Sequence, residues 1–343
     1  MSLEPRLRPL VALASRLDSQ STQTPETLRF GDAMQERYFG RLLIRPGAAV
    51  SRIVDRYVPV AGGRIAVRLY YPPGPSNDGP PPLHLFLHGG GWVTGTIAGR
   101  EPRCRDLAAG VGCVVASVAY RLAPENAFPT APEDCYTALR WLIGEADDLA
   151  VDPARVSIGG ESAGANLAAV VAVLARDRGG PALAFQLLDV PATDLTMSHP
   201  SVERNGHGYL LERPQMERYI DHYLPDRSYA TDPMASPLFT GSLAGLPPAA
   251  VTVAEYDPLH DEGVAYAERL RTSGVPVELT ELAGGVHSSF AFTRLLPSAR
   301  AHHDACVRRL RSAFSVAKAP PASPSRPPSG EAPPAGRPVL PGA

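Results

Sequence analysis

Apolar residues recur with a helical period over the first 50 residues of the chain. The pattern predicts helices over 7–18 and 24–43, and Thr24-Pro25-Glu26 is a favourable start for the second of them. From Val54 the period changes to two, and the runs 55–60 and 65–71, separated by Ala61-Gly62-Gly63, predict a β-hairpin. A loop rich in proline, glycine, asparagine and aspartate follows over 72–82.

Beyond the hairpin, short apolar runs alternate with helical segments. The predicted strands are 83–87, 114–119, 156–159, 183–188, 249–254 and 277–280. The predicted helices are 136–144, 163–178, 262–273 and 292–314. Strand–helix alternation requires crossover connections, which puts the strands in a mostly parallel sheet with helices on both faces. The expected fold class is therefore α/β.

Two segments interrupt this alternation. Residues 198–224 form a polar, helix-prone insertion between two strands, and an insertion at that end of a sheet is expected to overhang the binding crevice as part of a cap. Residues 317–343 are expected to be a disordered tail, because nine of the 25 residues from Ala319 onward are proline and few are apolar. A proline-rich ligand for an SH3-type domain is the alternative interpretation of the tail.

Composition excludes several classes of protein. Lys+Arg 33 against Asp+Glu 35 gives a net charge of −2, which leaves no basic surplus for a nucleic-acid backbone. No apolar run approaches the roughly 18 residues that a membrane span needs, and the short stretch 10–14 does not predict a signal peptide. The spacings of the four cysteines, Cys104, Cys113, Cys135 and Cys306, predict buried thiols in a reducing cytoplasm rather than a metal site. Neither a metal nor a cofactor is expected.

The strongest chemical signal is Gly160-Glu161-Ser162-Ala163-Gly164, between a predicted strand and a predicted helix. Small neighbours allow the sharp turn of a nucleophile elbow, on which a serine hydroxyl projects from the sheet. The helix N-terminus then offers N–H groups to a developing oxyanion. The segment therefore predicts Ser162 as a nucleophile; a glycine-rich strand–helix turn is the structural alternative.

A second signal, His88-Gly89-Gly90-Gly91-Trp92, follows the strand 83–87 directly. Successive glycines leave backbone N–H groups free to point at a ligand oxygen, and we expect Gly89, Gly90 and Ala163 to donate to the same oxyanion. A flexible loop or a phosphate-binding turn is the alternative, and the latter is disfavoured because no Lys-Ser/Thr follows. His88 itself is expected to support the loop rather than carry protons.

An activated serine needs a base and a carboxylate that orients the base. His287 follows Gly284-Gly285-Val286 after the strand 277–280, at the sheet end expected for Ser162, and is favoured over the other histidines. Asp257 and Asp261 both follow the strand 249–254. Asp257 is nearer the strand end and is the favoured carboxylate, whereas Asp261 is expected to be the N-cap of the next helix.

These residues resemble the bacterial hormone-sensitive-lipase-like family of α/β-hydrolase esterases, from about Tyr57 to Phe314. Five motifs occur in the family order: His88-Gly-Gly-Gly-Trp92; Tyr120-Arg-Leu-Ala-Pro-Glu125 with Phe128-Pro129 and Glu133-Asp134; Gly160-Glu-Ser-Ala-Gly164 with Ala165-Asn166-Leu167-Ala168; Asp257-Pro-Leu-His-Asp-Glu-Gly263; and His287. The resemblance implies a triad of Ser162, Asp257 and His287 and an oxyanion loop at His88-Gly-Gly.

The resemblance also implies a domain organisation and an activity. Residues 1–50 and the insertion near 198–224 would form a helical cap over an α/β-hydrolase domain spanning 51–316. The expected function is that of a serine carboxylesterase for short-to-medium acyl esters of small molecules, without a cofactor, and as a homodimer. A deacetylase acting on amides and a non-catalytic small-molecule receptor are the alternatives, although a receptor would not need an intact triad.

The sequence departs from the family pattern at three places, one of them a pair of residues. Glu161 stands where the family more often has aspartate, and Ser288 stands where glycine is usual. Asp189-Val190 replaces an apolar-aromatic pair at the end of a predicted strand. We expect Asp189 to be either a solvated charge at the strand end or a contact to the substrate.

Overall fold

The computed structural model of the chain describes residues 2–17, 24–38, 40–74 and 79–318. Residues 317 and 318 of the predicted tail belong to the last helix, and residues 319–343 lie outside the described part. The predicted loop over 72–82 is described only in part, because residues 75–78 also lie outside it.

The described strands form one eight-stranded sheet. They are β1 (Arg52–Val60), β2 (Gly63–Tyr71), β3 (Pro82–Leu87), β4 (Val114–Ala119), β5 (Asp152–Glu161), β6 (Phe185–Asp189), β7 (Ala249–Tyr256) and β8 (Val277–Val286). Their order is β1-β2-β4-β3-β5-β6-β7-β8. The β1–β2 and β2–β4 pairs are antiparallel and the other pairs are parallel. The predicted α/β class is confirmed.

Helices connect the parallel strands and flank the sheet. They are α1 (Arg8–Leu17), α2 (Pro25–Tyr38), α3 (Gly40–Leu43), α4 (Glu101–Val111), α5 (Thr130–Gly144), α6 (Ala146–Leu149), α7 (Ala163–Asp177), α8 (Pro200–Asn205), α9 (Arg213–Tyr223), α10 (His260–Thr272) and α11 (Pro297–Lys318). The insertion at 198–224 contains α8 and α9. None of the described helices is both long and apolar enough to cross a bilayer.

The side chains of β3 show how the sheet divides the core. Leu83, Leu85 and Leu87 belong to a cluster that includes side chains of α5, α7 and α10. Phe86 belongs to a second cluster, with side chains of α4 and α11. Because successive residues of a strand face opposite sides, the two clusters lie on the two faces, and both faces of the sheet are covered as a parallel sheet requires.

Several predicted boundaries were wrong. The helix α4 was not predicted at all, although Pro102 in its first turn is a favourable helix start. The predicted helix over 136–144 begins at Thr130, six residues earlier. The strand β8 continues six residues beyond the predicted end, because its register with β7 extends to the Tyr256–Val286 pair. Tertiary pairing overrides local propensity at such ends.

Three of the parallel strands end directly before residues that the sequence selected. Ser162 follows the last residue of β5, Asp257 follows the last residue of β7, and His287 follows the last residue of β8. Since the carboxyl ends of parallel strands lie at one edge of the sheet, the topology brings residues 95 and 30 positions apart to one crevice.

Candidate active site

Three side chains form a hydrogen-bonded row at this edge of the sheet. The Nε2 atom of His287 lies 2.9 Å from Oγ of Ser162, and its Nδ1 atom lies 2.7 Å from Oδ2 of Asp257. A hydroxyl, an imidazole and a carboxylate in this order can transfer the hydroxyl proton to the imidazole while the carboxylate stabilises the imidazolium. The arrangement can therefore activate Ser162 as a nucleophile.

The nucleophile elbow (residues 160–164) holds Ser162 in a strained conformation. Ser162 has φ 55° and ψ −121°, a region that non-glycine residues rarely adopt. Its N–H donates to the carbonyl oxygen of Asp189 at 2.9 Å. Gly164 must be glycine, because a Cβ there would lie 2.1 Å from the carbonyl oxygen of Leu87. The close approach of α7 to β3 lets the chain turn sharply enough to lift the hydroxyl from the sheet.

A tight turn orients His287. The Oγ of Ser289 donates to the carbonyl oxygen of Val286 at 2.7 Å and accepts from the Val286 N–H at 3.2 Å. The side chain of His287 is 10% exposed. The imidazole is thus nearly enclosed by protein.

Asp257 is held from two directions. Its Oδ1 atom accepts from the N–H of Leu259 at 2.9 Å, which leaves Oδ2 for His287. The side-chain amide of Asn205, on α8, donates to the main-chain oxygens of Asp257 and Glu255, both at 3.1 Å. Sequence reasoning missed Asn205, since an asparagine at the end of a short helix carries no signal for a partner 52 residues away.

The expectation that Asp261 caps a helix was wrong. The residue lies in the first turn of α10, whose N-cap position is Leu259. Its carboxylate instead accepts from the N–H of Ser201 at 2.9 Å and pairs with Arg204 at 2.8 Å, both on α8. Asp261 therefore fastens the insertion to the loop that carries Asp257.

The glycine loop (residues 88–92) lies directly against the elbow. A Cβ on Gly89 would lie 2.9 Å from the carbonyl oxygen of Glu161 and 3.3 Å from Cβ of Ser162. Gly90 has φ +123°, which a residue with a side chain adopts only with strain. The backbone of the loop can therefore come close to an oxygen atom bound at Ser162. Gly89 and Gly90 would need this closeness to donate their N–H groups, together with that of Ala163, to an oxyanion.

His88 is buried beside this loop. Its Nδ1 atom lies 2.9 Å from the carbonyl oxygen of Gly89, and its ring stacks on Tyr120 with 4.4 Å between ring centroids. The hydroxyl of Tyr120 donates to the main-chain oxygen of His88 at 2.8 Å. Burial lowers the pKa of His88 to about 4, so its ring is neutral at neutral pH. These contacts are those of a residue that supports the loop.

Both interpretations of Asp189 were wrong. Its side chain is fully buried and forms ion pairs with Arg103 of α4 and, at 3.0 Å, with His302 of α11. Burial alone would raise the pKa of Asp189, but Arg103 and His302 outweigh it and hold the pKa well below its usual range. Sequence patterns did not reveal the cluster of Asp189, Arg103 and His302. The helix α4, which carries Arg103, was not predicted, and both Arg103 and His302 lie more than 80 residues from Asp189 in the sequence.

Asp189, His302 and Cys306 also form the one group of three candidate metal ligands within the described residues. The Cys306 sulfur lies 3.4 Å from Nε2 of His302. Asp189 already pairs with the guanidinium of Arg103 and with the protonated imidazole of His302, so a metal ion would be repelled by Arg103 and would have to displace the proton from His302. The group therefore has the chemistry of an ion-pair network rather than that of a metal centre.

A second serine–histidine pair lies elsewhere. Nδ1 of His84 is 2.8 Å from Oγ of Ser157, but both residues are fully buried within β3 and β5. Burial lowers the pKa of His84 to about 3. No substrate can reach this pair, so the crevice at Ser162 is the candidate site.

Comparison with known proteins agrees with this architecture. A family model described as an alpha/beta hydrolase fold matches residues 84–291. Carboxylesterase NlhH of Mycobacterium tuberculosis is 40% identical over 252 residues, which cover 72% of this chain and 78% of the relative. Ethyl acetate hydrolase of Pseudomonas putida is 40% identical over 227 residues, which cover 66% of this chain and 71% of the relative.

Solved structures of esterases are also similar to this chain. A hyperthermophilic esterase from the archaeon Pyrobaculum calidifontis superimposes with a TM-score of 0.85 at 36% identity, over 91% of this chain and 99% of the other. The thermophilic carboxylesterase EstE1, cloned from a metagenomic library, gives a TM-score of 0.80 at 38% identity, over 85% of this chain and 98% of the other. The chain belongs to the bacterial hormone-sensitive-lipase-like family of α/β-hydrolase esterases and is a carboxylic ester hydrolase.

Proposed function

We propose that the chain hydrolyses short-to-medium acyl esters of small molecules through a covalent acyl-enzyme on Ser162, with His287 as the base and Asp257 as its orienting carboxylate. The observation that carries this proposal is the hydrogen-bonded row from Ser162 through His287 to Asp257, with distances of 2.9 and 2.7 Å. Both distances are within the range that a proton transfer requires.

In the first half of the reaction, His287 accepts the proton of the Ser162 hydroxyl while the oxygen attacks the ester carbonyl carbon. The carbonyl oxygen becomes an oxyanion, which the N–H groups of Gly89, Gly90 and Ala163 stabilise. The carbon–oxygen bond to the leaving group then breaks, and His287 returns its proton to the departing alcohol.

In the second half, a water molecule replaces the alcohol. His287 accepts a proton from the water, whose oxygen attacks the acyl carbon of the ester formed on Ser162. The second tetrahedral intermediate releases the carboxylic acid, and His287 returns the proton to the serine oxygen. Asp257 stays ionised throughout and stabilises the imidazolium in both halves.

We propose that residues 1–50 and the insertion at 198–224 form a cap over the crevice. Contacts of α9 with the glycine loop support this proposal. The ring of Tyr219 lies so close to Gly91 that a Cβ there would be 2.3 Å from it. Tyr223 stacks on Trp92 with 4.4 Å between ring centroids. Aromatic side chains packed this close to the glycine loop favour small substrates, which agrees with the name of the Pseudomonas putida relative, ethyl acetate hydrolase.

The alternatives are less well supported. Amide hydrolysis would use the same three side chains, but the relatives are named as esterases and ester hydrolases. A receptor has no need for a base bonded to both a hydroxyl and a carboxylate. Ester hydrolysis explains every observation that amide hydrolysis or a receptor function would explain.

One assay tests the proposal against both alternatives. The wild type should hydrolyse p-nitrophenyl acetate much faster than a matched acetanilide, and Ser162→Ala should lose the activity on both while keeping the fold by circular dichroism. Equal or greater activity on the anilide would favour the deacetylase. Ester hydrolysis that survives in Ser162→Ala would overturn the assignment of the nucleophile.

We also propose that the chain forms a homodimer and is cytoplasmic, each on a single structural observation. Within the described sheet β8 has β7 as its one strand partner, and the N–H of Glu4 donates to the carbonyl oxygen of Gly284 on its other side at 2.9 Å. The part of this edge that precedes Gly284 can pair with the same edge of a second copy, which supports a homodimer. The cysteines are free and buried, which supports a reducing, cytoplasmic location. Light scattering coupled to size exclusion tests the dimer, because a monomeric mass at micromolar concentration would exclude it.

A further inference from the structure

The helix α2 faces the protein mainly with polar side chains, beside the buried Leu28, and presents other apolar side chains to solvent. Arg29, Asp32 and Glu36 are three and four positions apart, so they share one face of the helix, and all three bond to the catalytic domain. Phe30 and Met34 are 68% and 37% exposed. A surface helix usually has the opposite arrangement, with its apolar face buried. The bonds of the inner face, together with the buried Leu28, therefore fix α2 in place.

Asp32 holds the backbone that abuts the glycine loop. Its Oδ2 atom accepts from the N–H of Gly95 at 3.0 Å. Gly95 packs so tightly against the loop that a Cβ there would lie 2.2 Å from the carbonyl oxygen of Gly89 and 2.5 Å from Nδ1 of His88. A shift of Gly95 is therefore transmitted to Gly89 by direct contact.

Arg29 holds the same segment from its other side. Its Nε atom donates to the carbonyl oxygen of Val93 at 2.9 Å. The N–H groups of Val93 and Thr94 donate to the carbonyl oxygen of Gly90 at 3.1 and 2.9 Å. Since the carbonyl of Gly90 is fixed in this way, the orientation of its neighbouring peptide groups depends on where Arg29 and Asp32 place residues 93–95.

Glu36 reaches the elbow through a bridging arginine. Its Oε1 atom pairs with Nη1 of Arg100 at 3.0 Å, and Nε of Arg100 donates to Oε1 of Glu161. Glu161 immediately precedes Ser162. The inner face of α2 is thus linked to both walls of the space in which the oxyanion would form, to the glycine loop through residues 93–95 and to the elbow through Arg100.

We infer that Arg29, Asp32 and Glu36 are positioning residues, whose bonds from α2 set the spacing between the glycine loop and the nucleophile elbow. The inference rests on the proposed function and adds that the oxyanion hole is complete only while α2 is docked. Donors aimed at a developing oxyanion stabilise it strongly only when they are held in place beforehand, so displaced amides lose part of that effect.

The test compares Asp32→Leu, which removes the acceptor, with Asp32→Asn, which keeps a side-chain oxygen for the Gly95 N–H. Each variant is assayed on p-nitrophenyl acetate and on its thionoester, in which sulfur replaces the carbonyl oxygen. Because sulfur is larger and a weaker acceptor, an oxyanion hole built for oxygen favours the ester. The ester-to-thionoester rate ratio therefore reports the geometry of the hole and does not depend on how much enzyme is folded.

We expect Asp32→Leu to lower kcat on the ester by about 10- to 100-fold, less than the loss of a whole donor, with little change in KM. The rate ratio should fall several-fold. Asp32→Asn should keep the ratio of the wild type, and so should the control Phe30→Ala, on the exposed face of the same helix.

An unchanged ratio in Asp32→Leu would overturn the inference, whether the ester rate falls or not, because a purely structural role lowers both rates equally. A ratio that falls equally in Asp32→Asn would also overturn it. If Asp32→Leu does not fold, Arg29→Leu against Arg29→Lys makes the same comparison at Val93. Failure of the proposed function is distinguishable, since the wild type itself would then show no ester hydrolysis.

Discussion

The main-chain carbonyl oxygen of Asp189 accepts a hydrogen bond from the N–H of Ser162 at 2.9 Å. The carboxylate of the same residue pairs with Arg103 and His302 in the core. A buried ionic cluster and the proposed nucleophile therefore share one residue at the end of β6. Any change that disturbs the cluster is transmitted to the elbow by a direct bond.

Removing the charge of Asp189 should strongly destabilise the fold. In Asp189→Asn the guanidinium of Arg103 stays buried without its counterion, which typically costs about 3–5 kcal/mol in the free energy of unfolding. Urea unfolding followed by circular dichroism measures the loss. Asp177→Asn, which breaks a half-exposed pair with Arg176, is the matched control and should cost at most about 1 kcal/mol.

The double variant Asp189→Leu/Arg103→Met tests whether the stability lost in Asp189→Asn comes from an unbalanced charge or from poorer packing. It removes the carboxylate and the guanidinium together, and His302, no longer beside an anion, can lose its proton, so most of the stability lost in Asp189→Asn should return. If the double variant is less stable than Asp189→Asn, the ion pair itself stabilises the fold and our account of its energetics is wrong.

Stability should also depend on the proton of His302. Burial alone would lower the pKa of His302, but Cys306 and Asp189 outweigh it and raise the pKa from the ordinary 6.5 to about 10. Between pH 6.5 and about pH 10 the folded chain binds more protons than the unfolded chain, so the free energy of unfolding falls as the pH rises. The contribution of His302 is complete below pH 6.5 and is lost as the pH rises through about 10.

Urea unfolding of the wild type and of His302→Gln between pH 7 and pH 10 checks this dependence. Glutamine does not titrate, so the stability of the wild type should fall more steeply with pH than that of the variant. Two parallel curves would show that His302 keeps its ordinary pKa in the folded chain.

The two carboxylates after β7 should differ greatly in their effect on rate. Asp257→Asn leaves His287 without its counterion and in the wrong tautomer, which lowers kcat by about 10⁴-fold in enzymes with such a triad. Asp261→Asn weakens the contacts with α8 and with His260, none of which involves His287, and should lower kcat less than about tenfold. Initial rates on p-nitrophenyl acetate decide between them. The reverse ranking would show that Asp261 is the orienting carboxylate.

Chelation should have no effect on the enzyme. We expect EDTA to leave both the rate and the thermal midpoint unchanged, because Arg103 neutralises the carboxylate in the cluster of Asp189, His302 and Cys306. A midpoint that falls with EDTA and returns with Zn²⁺ would identify the cluster as a structural metal site. Cys306→Ala would then abolish the effect of Zn²⁺.

Local patterns in the sequence predicted the fold class and which side chains would meet. Strand periodicity and the Gly-rich turns are encoded by residues within a few positions of one another, so Ser162 and the glycine loop could be recognised without coordinates. His287 and Asp257 could be selected because each follows a predicted strand, and parallel strands place their carboxyl ends together. The short distances between these side chains agree with that selection.

Other features depended on tertiary structure. Asp189 looked like a solvated or substrate-binding charge because its partners, Arg103 and His302, lie on helices far away in the sequence. Asp261 looked like a helix cap because α8, which it binds, is close only in space. The sequence does not indicate which face of α2 contacts the protein, because Arg29, Asp32 and Glu36 are residue types that are usual on a solvent-exposed face.

The sequence by itself determined the α/β class, the sharp turn at Ser162 and the choice of Ser162, His287 and Asp257 as the proposed reacting groups, because short-range sterics and hydrophobic periodicity act within a few residues. Only the tertiary structure decided which charges are buried together and which helix holds the glycine loop. Those choices depend on the registers and helix packing that bring together residues such as Asp32 and Gly95, 63 positions apart.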